Sequence, residues 1–149
     1  MLANHIKGGI YSGVAGGIVF GVMMAAMGML PMIGGMIGIP SAWAGFLIHL
    51  SISALIGGSF GFVADRLGLE GGLRTGAAYG LVWWLLGPLT LMPLFMGMGL
   101  GVNWNLAAMT QALPSLVGHL VFGVVLGITY RWLKRHHHWS PTPHHAGTV

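Results

Sequence analysis

No cysteine occurs among the 149 residues, which excludes disulfides, thiolate metal sites and thiol chemistry. Carboxylates are almost as scarce: Asp65 and Glu70 are the only two. Both are expected in one short connection between apolar stretches, so no predicted span holds an acid. Carboxylate proton relays, paired-carboxylate hydrolysis and carboxylate di-iron centres therefore lack their groups. A Ser-His-Asp set would have to reach across the membrane boundary. No P-loop or dinucleotide fingerprint is present either, because the glycines recur at helical four-residue spacing and do not open a loop after a strand.

Apolar surface fills the chain instead. With 55% hydrophobic residues, 5% charged residues and a mean hydropathy of +0.81, it has too little polar surface for a soluble domain. The partner this implies first is the lipid bilayer. Crossing ~30 Å of hydrocarbon takes about 20 helical residues, and four stretches are long enough: Ile6 to Leu30, Ala42 to Ala64, Arg74 to Met98 and Ala112 to Trp132. Barrel strands would alternate apolar and polar residues, whereas these runs are continuously apolar, so helices are the spanning option left. The expected fold is all-α, a bundle of four transmembrane helices. Lys7 and Ala25-Ala26 give the first stretch some look of a signal peptide. It is longer than a secretory h-region of roughly 7–15 residues and matches the third stretch, so it is expected to stay.

The six Lys and Arg residues fall on one side of this scheme: Lys7, then Arg66 and Arg74, then Arg131, Lys134 and Arg135. The connections at 31–41 and 99–111 carry none. Basic segments stay cytoplasmic, which places both termini in the cytoplasm of a multi-pass inner-membrane protein. The net charge of +4 is thus a topology signal. Nucleic acid is not an expected partner, and the Arg131 to Arg135 cluster suits anionic headgroups.

The same two-helix unit reads twice. Aligning Ile10 to Phe20 with Leu73 to Trp83 superposes Gly13 on Gly76 and Gly17 on Gly80, and aligning His49 to Phe60 with His119 to Tyr130 superposes the two histidines. The offset is 63 in the first pair and 70 in the second, as an insertion between the helices would give. Two helices per unit make the repeats parallel, related by an axis along the membrane normal. The organisation expected is a single transmembrane domain over 1–135, with repeats at 6–66 and 73–135, and a disordered, His-rich cytoplasmic tail over 136–149.

Small residues line the helices. Gly9, Gly13, Gly17, Gly21 and Ala25 form a stripe on the first, Gly45, Ser53, Gly57 and Gly61 one on the second, and Ser115, Gly123 and Gly127 one on the fourth. Such stripes let backbones approach closely. In the third helix Trp84 and Pro88 interrupt the pattern, and a kink is expected near Gly87-Pro88. Pro31 and Pro93 should end or bend helices, Ser41 should open the second, and Pro114 fits the first turn of the fourth. Trp43 and Trp104 suit the interfacial belt, with Tyr11, Tyr79 and Tyr130 as anchors on the cytoplasmic side.

His49 and His119 interrupt two of the stripes and should face the bundle interior at equal depth. Small residues stand four positions away on either side, Gly45 and Ser53 for one, Ser115 and Gly123 for the other. That clearance would admit a flat macrocycle, so bis-histidine ligation of b-haem or another tetrapyrrole is one reading. Hydrogen bonding of each imidazole to a neighbouring helix is the simpler one. Methionine is the second signal, with 11 residues. Met23 and Met27, Met32 and Met36, and Met92 and Met96 are spaced by four, which sets two thioethers on one helix face and suits copper as Cu(I). His136, His137 and His138 could receive such an ion in the cytoplasm. The alternative is that methionine fills irregular apolar space.

The stretch Gly76 to Tyr130, with Trp83-Trp84, Leu91-Met-Pro-Leu94 and the run from Ser115 through His119 to Tyr130, resembles small bacterial and archaeal inner-membrane proteins of the YagU-like group. The resemblance implies a polytopic membrane protein and carries no catalytic residues across. The functional expectation is a non-enzymatic accessory or scaffold subunit, alone, as a homo-oligomer or beside a membrane-protein partner. Haem binding and Cu(I) handling are the alternatives.

Overall fold

The computed structural model describes residues 2–136, and among these the chain is helical throughout with no strand. Its elements are α1 (Leu2–Ala26), α2 (Leu30–Gly35), α3 (Ala42–Leu67), α4 (Leu73–Leu86), a π-helical turn (Gly87–Leu91), α5 (Met92–Phe95), α6 (Leu106–Gln111) and α7 (Leu113–His136). Four segments, Leu2–Ala26, Ala42–Leu67, Leu73–Phe95 and Leu113–His136, are long and apolar enough to cross a membrane, and the protein is a multi-pass membrane protein.

Local chemistry sets the helix ends. α1 stops at Ala26, short of the expected Leu30, because Gly28 turns the backbone left-handed at φ +68°. Pro31 does not end α1; it lies in the first turn of α2, where a missing N–H costs nothing. Ser41 opens α3 as expected, its hydroxyl accepting from the Ala44 amide at 3.1 Å. α3 runs on to Leu67, so Asp65 stands in its last turn and not in the connection. The kink expected at Gly87-Pro88 takes a particular form. Pro88 has no amide to donate, and the ladder widens by one residue over Gly87–Leu91 without breaking. Thr90 Oγ1 donates to the Leu85 carbonyl at 2.8 Å, which satisfies an acceptor the wider turn loosens.

In cross-section the spans lie in the order α3, α1, α7, α4, with α1 and α7 in the middle. The two outer contacts are backbone on backbone. Gly9 and Gly13 of α1 meet Gly57 and Gly61 of α3, and a Cβ placed on Gly57 would fall 2.6 Å from Gly13 Cα. Gly76 and Gly80 of α4 meet Gly123 and Gly127 of α7, where a Cβ on Gly127 would fall 2.8 Å from Gly76 Cα. The central contact works differently: Phe122 of α7 packs on Gly16 of α1, and Phe20 of α1 packs on Gly118 of α7. Around it lies the core of Phe20, Phe60, Phe122, Leu126 and Tyr130. The expected α1 stripe is buried at Gly9, Gly13, Gly17 and Gly21, while Ala25 is exposed.

α3 and α4, the outermost spans, join near the basic end through Tyr79, whose hydroxyl donates to the Ile56 carbonyl at 2.9 Å and shares a 2.7 Å hydrogen bond with Ser59. Farther from that end Pro88 and the π turn interrupt the regular α4 ladder. This leaves the space described next.

Candidate functional site

A cleft of about 270 Å³ runs between α3 and α4, across α1 and α7. Its lining is mostly apolar: Ile52 and Ile56 from α3, Trp83, Leu91 and Phe95 from the α4 side, and Phe20 and Phe122 from the central helices. α2 folds back to close one wall, with Leu30 and Ile33 buried and the Leu30 carbonyl against Gly45. The 31–41 connection is therefore partly a short helix packed on the bundle.

His49 and His119 both line this cleft, together with Ser53 and Ser115. The Phe20 ring touches both imidazoles edge-on, with centroids 5.3 Å from His49 and 5.0 Å from His119. His49 is buried, and its Nε2 lies 3.0 Å from the Gly17 carbonyl of α1. A carbonyl only accepts, so Nε2 carries the proton and the neutral ring keeps its lone pair on Nδ1. His119 has the opposite tautomer: Nδ1 donates to the Ser115 carbonyl at 2.8 Å, with Ser115 Oγ at 3.3 Å, and the lone pair is left on Nε2. That Nε2 faces Gly87, where a Cβ would stand 3.5 Å away.

The small residues flanking the histidines divide. Ser53 and Ser115 reach the cleft, whereas Gly45 is filled against by Leu30 and Gly123 by the backbone of Gly76 and Gly80. The methionines divide too. Met32, Met36 and Met92 line the cleft. Met23 packs against the core, and Met27 and Met96 are exposed. Met24 and Met29, which the four-residue spacing passed over, complete the thioether lining. His136 is exposed, with Nδ1 bonded to the Trp132 carbonyl at 2.8 Å, and His137 and His138 lie outside the described residues. No three His, Asp or Glu side chains come together as a metal-holding group among the described residues.

A second polar cluster closes the basic end of the bundle. Tyr130 is fully buried and is not an interface anchor; its hydroxyl lies 2.6 Å from His5 Nδ1. His5 Nε2 stands 3.4 Å from Asp65 Oδ1, which favours the proton on Nε2 and makes Tyr130 the donor. Beside them Lys134 Nζ bonds Glu70 at 3.0 Å and the Leu69 carbonyl at 3.3 Å. No local pattern marks His5, because its partners lie 60 and 125 positions away. Of the other two tyrosines, Tyr11 is exposed as an anchor would be and Tyr79 is bonded inside the bundle.

No protein family, curated protein or solved structure matches this chain.

Proposed function

We propose that this protein is a non-enzymatic accessory component of the inner (plasma) membrane, with both termini cytoplasmic, that holds a small apolar ligand in the cleft between α3 and α4. The observation behind this reading is the cleft itself: one apolar space of about 270 Å³ with two imidazoles on its floor. Concave, mostly apolar sites with a few convergent polar groups are where ligands bind. The size selects among ligands. It exceeds the ~150 Å³ of an engineered cavity that takes benzene and falls short of the roughly 300–1,000 Å³ of sites for drug-sized molecules. A single substituted ring fits.

The duplicated-hairpin reading gains support from the packing, because the alignment carries contact onto contact: the Gly13 and Gly57 approach corresponds to that of Gly76 and Gly127. Kinship with the YagU-like group rests on residues 76–130 alone. A homo-oligomer or a membrane-protein partner is the natural setting for an accessory subunit.

Cu(I) is the second reading, favoured by Met24, Met29, Met32, Met36 and Met92 sharing the cleft with both histidines. A tetrapyrrole is supported less, since Phe20 stands against both imidazoles and neighbouring backbone takes up the clearance at Gly45 and Gly123.

The test is to purify the untagged protein from its own membranes and analyse the organic extract, the metal content and the absorption spectrum together. Ile52 lines the cleft from a partly exposed position, so Ile52→Trp fills the space with little demand on the core. An apolar compound retained by the native protein and lost from Ile52→Trp supports the proposal. Stoichiometric copper or a Soret band in its place would replace it with one of the other two readings, and equal ligand content in both proteins would refute it.

A further inference from the structure

Resting on the cleft reading, we infer that the ligand is an uncharged phenol or hydroquinone with a hydrophobic tail, whose ring hydroxyl donates a hydrogen bond to His119 Nε2. The tautomer carries the argument. The Ser115 carbonyl, 2.8 Å from Nδ1, can only accept, so the neutral ring must present a lone pair at Nε2. Nε2 has no hydrogen-bond partner among the described residues and faces the cleft at Gly87, where the absence of a side chain leaves it uncovered. Nε2 keeps surface in the cleft, and because that surface lies in a membrane-spanning segment away from bulk water, an acceptor without a partner there costs ~1–3 kcal/mol; a ligand donor is what relieves it.

The remaining features narrow the class. Among the described residues no Lys or Arg lines the cleft to offset an anionic head, and no Asp or Glu lines it to offset an organic cation. Trp83, Phe95, Phe20 and Phe122 offer ring faces and edges to an aromatic head. The volume of about 270 Å³ accommodates one ring, and the space is a cleft open at one side, so an alkyl or prenyl tail can run out between α3 and α4 into lipid. A monocyclic head with a hydroxyl donor and a tail meets all of these conditions.

The test uses the full chain in lipid nanodiscs and two probes, decyl-hydroquinone kept reduced and its dimethyl ether. They share ring and tail, and only the first can donate. Binding is measured as probe retained in equilibrium dialysis and counted as the excess over the cleft-filled Ile52→Trp protein, which removes partition into lipid. The hydroquinone is expected to bind about tenfold more tightly than the ether, the ratio one net hydrogen bond of ~1.4 kcal/mol gives. His119→Leu should bring that ratio to about one, while Ser115→Ala, which keeps the carbonyl that fixes the tautomer, should preserve it. Equal affinity of the two probes for the native protein overturns this inference and leaves the cleft reading standing. So does a tenfold ratio that survives in folded His119→Leu protein. Failure of both probes to bind above the Ile52→Trp baseline overturns the inference and the cleft reading together. Because the probe ratio is decisive in the native protein alone, a variant that fails to fold does not shelter the idea.

Discussion

Replacing Gly57 by alanine adds one methyl group where α3 meets α1 backbone against backbone. That methyl would fall 2.6 Å from Gly13 Cα and 2.8 Å from Gly13 N, and closer still to the Gly9 carbonyl. All three are backbone atoms, so no side chain can rotate away. Carbon pairs rest at ~3.5–4.0 Å, so α3 must retreat from α1 by about 1 Å. A gap of roughly that size forfeits a quarter to a half of each contact along the seam, and overpacking of this kind costs ~1–3 kcal/mol or more. Alanine returns ~0.5–1 kcal/mol through its better helix propensity. The net expectation is a loss of about 2 kcal/mol. Gly35→Ala supplies the control: Gly35 is exposed and helical, and its nearest neighbour for a Cβ is Pro40 at 4.0 Å. Stability would be read by reversible unfolding in mixed micelles with increasing SDS, followed by tryptophan fluorescence. Should Gly57→Ala and Gly35→Ala agree within about 0.5 kcal/mol, the resolution expected of surface changes, the backbone seam would not be what holds α1 to α3.

Three further outcomes follow from the polar contacts. Tyr130→Phe removes the donor to buried His5 and should cost ~1–3 kcal/mol in the same unfolding assay, with far-ultraviolet helicity unchanged; a loss below about 0.5 kcal/mol would mean that the hydrogen bond is dispensable. Glu70→Gln should cost less than ~1 kcal/mol, because Glu70 is 65% exposed and its pairing with Lys134 is screened by water and salt. A larger loss there would show that the cluster acts as one unit. Trp84→Phe deletes the Nε1 bond to the Ala112 carbonyl at 3.1 Å and shrinks a buried ring, with an expected loss of ~1–3 kcal/mol, and hydrogen exchange at the start of α7 should rise with it.

The spans were legible because continuous apolar runs of bilayer length have few other solutions, and the ends fell where serine, glycine and proline chemistry put them. Ser41 and Pro114 behaved as read, whereas Pro31 has two compatible roles, ending one helix or starting the next, and only the left-handed Gly28 decides between them. The small-residue stripes showed which faces are smooth but not which helix each face meets. The Gly16 and Gly118 sockets for Phe122 and Phe20 were missed because each breaks the four-residue register with a partner a hundred positions away. For the same reason His5, Asp65 and Tyr130 looked unrelated. The candidate site was half visible: His49 and His119 drew notice as lone imidazoles among glycines, and both border the cleft. The cleft depends on α2 folding back and on the π turn at Gly87–Leu91, tertiary events that periodicity does not encode.

The placing of α1 and α7 side by side in the middle of the row bears on biogenesis. Each outer contact joins spans close in the chain, α1 with α3 and α4 with α7, and so can close as soon as each pair is in the bilayer. The contact between the halves joins α1 to α7, a span made roughly a hundred residues later. Until α7 has emerged, the Gly16 face of α1 has no Phe122 to receive, so the α1 and α3 hairpin waits alone and the halves dock only once α7 has entered the bilayer.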